Sequence, residues 1–315
     1  MQSRRSMMAG SLALAGTAAC TTMTQAPASA GLIYAPAPPA TPLHGLNMQL
    51  LEVLHRSGMA GWSMEPVALP ESVNRSTVLP AQERRTTLPI VTTADFALAR
   101  KGAGPDWHGY DRASTDLLFV SKLYDVGFGF QVTDPAIAGP GDLAGKSIAV
   151  PPRPSAVRMM SEALVEHGWA VDGVEFVDCS PPQGAQLLAE GKVAALAWNL
   201  VLPRDGVPAP MLPSPPGARF LSIEPSAIAR MNAAVGFELG PFVMTDGTPI
   251  ISFAQALAAW ADTPEADVLA MLAAIADKGG EFDGLPDDVA GMFDWPGLTN
   301  EVIHPVAARF RSGKA

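Results

Sequence analysis

The chain has 315 residues, of which 48% are apolar, with 21 basic and 31 acidic side chains and a formal net charge of −10. This allows one or two domains with a sizeable core. The negative charge argues against nucleic acid or an anionic lipid surface as partner, since both are polyanions. It leaves room for a small anion held by one local arginine or helix terminus.

The first 30 residues read as an export signal. Arg4 and Arg5 form the charged start, Met7 to Ala19 the apolar stretch, and Ala28-Ser29-Ala30 a small-residue cleavage site. Ser3-Arg4-Arg5-Ser6-Met7-Met8 resembles a twin-arginine signal, with two methionines where Phe and Leu are usual. Thr17-Ala18-Ala19-Cys20 reads instead as a lipoprotein processing site that would put lipid on Cys20. The expected location is therefore the periplasm, free or anchored through Cys20. The apolar stretch is too short and too rich in small residues for a lasting membrane span. Cleavage after Ala30 removes two arginines and no acid, which takes the net charge from −10 to −12. It also leaves Cys179 as the one cysteine, so packing without an intramolecular disulfide has to hold the core.

The mature chain alternates strand and helix signals. Gly31 to Pro36 reads as a first strand, and residues 44–57 as a helix with Leu46, Leu50, Leu51 and Leu54 on one stripe. Val67 to Pro70 is a short apolar run. Leu88 to Ala99 holds a buried strand and a turn, and Leu117 to Val120 and Val126 to Val132 read as two further strands. Between Gly141 and Gly168 a polar turn leads through Ser147-Ile-Ala-Val150 into Pro151-Pro-Arg-Pro-Ser155 and then an amphipathic helix. Ser155 is placed as its N-cap, and Val157, Met160 and Leu164 share a face. The free N–H groups of such a first turn carry partial positive charge and stabilise an anion. Val174 to Cys179 reads as a strand, 182–190 as a helix stopped at Gly191, and Val193 to Trp198 as a strand. Residues 201–217, dense in Pro and Gly, read as a connector. Thr263-Pro264-Glu265 opens a helix that Gly279-Gly280 ends. Strands alternating with helices imply an α/β fold with a largely parallel sheet.

Several segments share their order with one receptor family. They are Thr93-Ala-Asp-Phe-Ala-Leu-Ala99, Leu117 to Tyr124, Asp142-Leu-Ala-Gly-Lys146, Glu190-Gly-Lys-Val-Ala-Ala195, Arg219-Phe-Leu-Ser-Ile223, and His304-Pro305 followed by Arg309-Phe310. Their order and spacing over roughly 90–315 resemble the TAXI-type solute receptors of TRAP transporters, periplasmic binding proteins of the type II-like fold. The resemblance implies two α/β lobes, each with a parallel or mixed sheet, joined by crossing strands around a ligand cleft. It implies lobe 1 from 31–125 plus 232–315, and lobe 2 from 126–231. It also implies a small organic anion as ligand, a carboxylate or amino-acid-like molecule, delivered to TRAP membrane permease subunits. An ABC-importer receptor, or a ligand-sensing receptor for a membrane signalling protein, is the alternative on the same fold.

Two loops depart from that family, where glycine-rich turns are usual. Here they read Ala35-Pro-Ala-Pro-Pro-Ala-Thr-Pro-Leu-His44-Gly45 and Pro151-Pro-Arg-Pro-Ser-Ala156. Prolines have no N–H, so both loops lose backbone donors. Arg153 is the candidate replacement, since a guanidinium grips a carboxylate through two hydrogen bonds; the competing reading is a solvated arginine covering its loop. Ser155 and Ala156 complete that helix start. Thr92 and Thr93 would offer hydroxyls to a cleft, and Asp95 would either meet a ligand ammonium or cap the next helix. Trp198 and Asn199 end a strand where the family's cleft lies, as ligand wall and hydrogen-bond partner or as core Trp and turn Asn. Phe242 sits where an aromatic often lies near ligand, or is simply packed. The acidic residues Glu281, Asp283, Asp287 and Asp288 lack calcium-loop spacing. His44, His55, His108, His167 and His304 form no short metal-ligand motif, and nucleophile-elbow, phosphate-loop and dinucleotide signatures are missing. The expectation is a binding protein with no cofactor and no catalytic residue.

Overall fold

The computed structural model describes residues 30–36, 42–202, 209–210, 213–282, 284–295 and 297–315. The expected leader with Cys20, much of the proline-rich stretch after Ala35, parts of the 201–217 connector and Asp283 lie outside the described residues.

The fold is α/β, built on one mixed sheet. From the N-terminus come β1 (Gly31–Ala35), α1 (Pro42–Arg56), β2 (Trp62–Pro66), α2 (Glu71–Thr77), α3 (Ala81–Arg84), β3 (Thr87–Thr92) and α4 (Thr93–Lys101). β4 (Leu117–Val132) leads to β5 (Ser147–Val150), α5 (Ala156–Ala163), β6 (Glu175–Asp178), α6 (Pro181–Ala189) and β7 (Ala195–Leu202). Short β8 (Ala209–Pro210) and β9 (Arg219–Phe220) precede α7 (Pro225–Val235), β10 (Gly240–Val243) and β11 (Pro249–Trp260). α8 (Glu265–Lys278), α9 (Val289–Met292) and α10 (Pro305–Arg311) close the chain. The main strand order is β2-β1-β3-β11-β4-β7-β5-β6.

Pairing direction divides this order. β1 is parallel to β2 and β3, and β5 is parallel to β6 and β7. Between these two parallel units, β11 and β4 run antiparallel to each other and to their outer neighbours. β4 therefore crosses from one unit to the other, and its 16 residues span roughly 50 Å. The sequence reads two strands here because Ser121 to Asp125 interrupt the apolar run. The structure keeps one strand, since Lys122 is neutralised by Asp125 at 2.7 Å and Tyr124 donates to Asn47 at 2.7 Å. The polar interruption instead sits beside irregularities in the β11 register at Gln255/Ala256 and Leu257/Ala258.

Local chemistry sets the element ends. Asp142 accepts from the N–H groups of Ala138 and Gly139 at 2.8 and 2.9 Å, and Gly145 takes φ +68°, so the Asp-Leu-Ala-Gly-Lys segment is a tight turn that aims β5. The helix expected to end at Gly168 is α-helical to Ala163 and continues as a π-helix over Leu164–Trp169. Residues 67–70 form no strand; β2 lies just before them. Leu88 to Ala99 holds β3 and most of α4 rather than a strand and a turn. Pro264, expected at the first helical position, is the N-cap of α8, while Thr263 Oγ1 accepts from Trp260 N–H at 3.1 Å.

The C-terminal segment packs on α4 and the start of β4. Phe119 N–H donates to the Val302 carbonyl at 2.7 Å, and the rings of Phe96, Phe119 and Trp295 meet at 5.6 to 6.4 Å. The connection at α7 is shared: the helix packs on the π-helical segment of the second unit, and its C-terminal carbonyl at Gly236 accepts from Lys101 of α4 at 3.1 Å.

Candidate functional site

The C-terminal ends of β3 and β5 carry Thr92, Thr93, Asp95 and the Arg153–Ala156 group; Trp198 and Asn199, expected to end a strand, lie inside β7, which runs on to Leu202, and Phe242 lies in β10, antiparallel to β11. β3 ends at Thr92, which N-caps α4: its Oγ1 accepts from Asp95 N–H at 3.0 Å. Thr93 is buried and its hydroxyl accepts from Ala254 N–H at 3.2 Å, tying α4 to the crossing strand β11. Asp95 is wholly buried. It accepts from Thr92 Oγ1 at 2.5 Å, His108 Nε2 at 2.8 Å and Tyr110 OH at 2.9 Å. Both carboxylate oxygens are thus engaged by the protein, and no part is left for a ligand ammonium. Burial works to raise the Asp95 pKa, but the His108 charge and the hydrogen bonds from His108, Thr92 and Tyr110 outweigh it and hold the acid below its usual value. The same environment pushes the Tyr110 phenol well up: burial first, then the Asp95 charge.

In the second unit, β5 ends at Val150 and the Pro151–Pro154 loop leads into α5. Ser155 is the N-cap, extended at φ −153° and ψ 133°, but its side chain makes no cap bond. Ala156 is buried behind it. Arg153 is half exposed and donates to Glu162 Oε1 at 2.7 Å. The same oxygen accepts from Arg158 Nε at 2.6 Å, and Arg158 also pairs with Asp178 while lying over the Phe176 ring. One carboxylate therefore serves two guanidinium groups.

Strand parity separates the remaining candidates. Trp198 points away from α5 into a core cluster with Leu188, Leu200 and Ile250, where its Nε1 has no hydrogen-bond partner; Phe242 packs on that same cluster. The structure does not bring these two aromatics to the α5 start. Asn199, one residue on, faces the other way. β7 pairs in parallel with β5 at Ala195 and Leu196, so Asn199 lies beyond that pairing, opposite Phe128 of β4. It is half-buried, with Oδ1 unpartnered.

Residues that the motifs did not single out link the two strand-end groups. The α4–β4 connection folds back so that His108 and Tyr110 reach Asp95, and Trp107, immediately before His108, lies against Arg153, with 4.4 Å from the guanidinium carbon to the ring centroid. A cavity of about 330 Å³ adjoins this contact, bounded by Gly104, Pro105 and Trp107, by Met159, Glu162 and Glu166, and by Ala234 and Val235 at the end of α7. An aromatic residue in a polar, glycine-bearing connection was the one local hint of Trp107; the Arg158–Glu162 spacing of four was the hint of Glu162. Elsewhere, Glu281 pairs with Arg56 and Asp288 N-caps α9. No group of three or more His, Cys, Asp or Glu that could hold a metal ion occurs among the described residues. Cys179 is half-buried, and burial raises its thiol pKa, the opposite of an activated nucleophile.

Residues 125–211, from within β4 to just past β8, match the family model described as NMT1/THI5 like. Comparison with curated protein sequences returned no match. Among solved structures the chain is similar to MatC from Rhodopseudomonas palustris with bound malate, at 13% identity over 90% of this chain and 88% of that one, with a TM-score of 0.48. It is similar to another R. palustris protein, solved with adipate, at 18% identity over 78% and 82% of the two chains, TM-score 0.48. A TctC solute binding protein from Polaromonas is similar at 13% identity over 90% and 96%, TM-score 0.45.

Proposed function

We propose that this chain is an extracytoplasmic solute receptor that closes two lobes on a small organic anion and delivers it to a TRAP-type membrane permease. The observation that carries the anion is the start of α5. Ser155 makes no cap bond, so the first-turn N–H groups of Ala156, Val157 and Arg158 keep their partial positive charge. Arg153 stands beside them. Its face rests on Trp107, and stacking leaves the in-plane N–H groups for a carboxylate, which would compete with Glu162. Asn199, on the α5 side of β7, adds an amide. The order of the family-like segments supports the receptor reading, as does a pair of parallel units joined by crossing strands β4 and β11. The TRAP partner rests on the family-like segments alone.

The charge balance narrows the ligand. Glu162 is shared by two arginines, and Glu166 borders the neighbouring cavity beside Trp107. A molecule with an ammonium beside its carboxylate meets both signs there, so the amino-acid-like members of the class fit better than dicarboxylates. Capture follows from differential affinity: a ligand that touches both lobes stabilises the closed state by as much as it prefers it.

Thermal unfolding tests this, on protein first unfolded and refolded to strip any carried ligand. Succinate, 2-oxoglutarate, L-glutamate, aromatic acids and taurine form the panel. Ligand at 100 times its dissociation constant stabilises by about 2.7 kcal/mol, several degrees for a chain of this size. A selective shift that Arg153→Ala reduces is the expected result. No shift with any of them, or unchanged affinity in Arg153→Ala, overturns the assignment.

A further inference from the structure

The connection from α4 to β4 is built as an arm. It leaves α4 at Gly102, which takes φ +62° and where a Cβ would stand 2.4 Å from Ala113 N, so the chain turns back on itself at once. Arg112 fixes the return by donating to the Thr77 carbonyl, and Asn74 Nδ2 donates to the Gly109 carbonyl at 3.4 Å. In between, His108 and Tyr110 are pinned to the buried Asp95. These anchors all belong to the first unit. The tip they hold, Trp107, lies against Arg153 of the second unit.

We infer that residues 102–110 form a clasp in which Asp95, His108 and Tyr110 are positioning residues that hold Trp107 on Arg153, so that the receptor closes on itself through a cation–π contact between its lobes. Asp95 does its work inside the protein, which is why it shows no exposed surface. The clasp regulates the proposed binding site and rests on that reading for its purpose. The contact itself does not depend on any ligand.

The test uses the full chain, refolded and free of ligand. Small-angle X-ray scattering reports how far the lobes stand apart. Trp107→Ala should raise the radius of gyration, with the closed-to-open ratio falling roughly two- to thirty-fold, the range a cation–π contact supports. Trp107→Phe should restore most of it. Asp95→Asn, which does not touch Arg153, should reproduce the opening while circular dichroism shows the fold retained. Trp107→Ala and Arg153→Ala should not add, since each removes the same contact. Scattering of Trp107→Ala identical to that of the unaltered protein, or strictly additive effects, overturns the clasp. A carboxylate-induced thermal shift alongside unchanged scattering would leave the receptor reading standing and the clasp refuted. Opening without any ligand response would do the reverse.

Discussion

Asp95 concentrates three donors on one buried carboxylate, and its replacement has a calculable cost. Asp95→Ala leaves His108, Tyr110 and Thr92 without their acceptor inside the protein. The expected loss is about 3 to 5 kcal/mol in urea unfolding, the scale for breaking a buried charged pair. Its folded pKa lies below the ordinary value, so the unfolded chain takes up the proton first as pH falls. The stability from this group is complete above about pH 4 and fades as pH drops through the folded value. Unfolding measured from pH 6 downward should therefore show a steeper acid limb in the unaltered protein than in Asp95→Asn. Trp198 makes the opposite case. Its Nε1 is buried without a partner on the face away from α5, so Trp198→Phe should change stability by less than about 1.5 kcal/mol and leave any ligand shift intact. The sequence allowed both roles for Trp198, because it read the strand as ending there; β7 runs on to Leu202, and which face a strand residue takes is settled only by its partners.

At the level of elements, the clearest test is the junction of α4 with its arm. Gly102→Ala would place a methyl against the Ala113 backbone in a left-handed conformation, and should cost about 1 to 3 kcal/mol in chemical unfolding. Elements with local signals were legible: the Leu stripe of α1, the Ser155 start of α5, the Gly-bounded α6 and the end of α8 all match their patterns. β4 was not read whole, because the neutralisation of Lys122 by Asp125 and the burial of Tyr124 against Asn47 are contacts that periodicity does not contain. At the strand ends Arg153 and Ser155 follow short apolar runs and lie together at the start of α5, whereas Thr92, expected to offer its hydroxyl to a cleft, spends it on Asp95. Trp107 was not, since a connection of this length has no period and its tip is fixed by Asp95 from the preceding helix.

Over the whole molecule, one buried apolar cluster runs from Ile33 and Leu88 through Val126, Phe128 and Phe130 to Ile148, Val150 and Met160. Because the crossing strands belong to the cores on both sides, the two units should melt together. Calorimetry should give one transition with equal calorimetric and van't Hoff enthalpies, and two resolved peaks would contradict a shared core. The parallel units followed from strand–helix alternation, while their pairing through β4 and β11 depends on contacts between segments far apart in sequence. The shared carboxylate of Glu162 and the indole over Arg153 have one more consequence, in time rather than in space. A bond that the protein makes to itself must break each time the closed form lets a solute in or out. Each 1.4 kcal/mol held in the Trp107 contact would lengthen the residence of a molecule trapped behind it about tenfold.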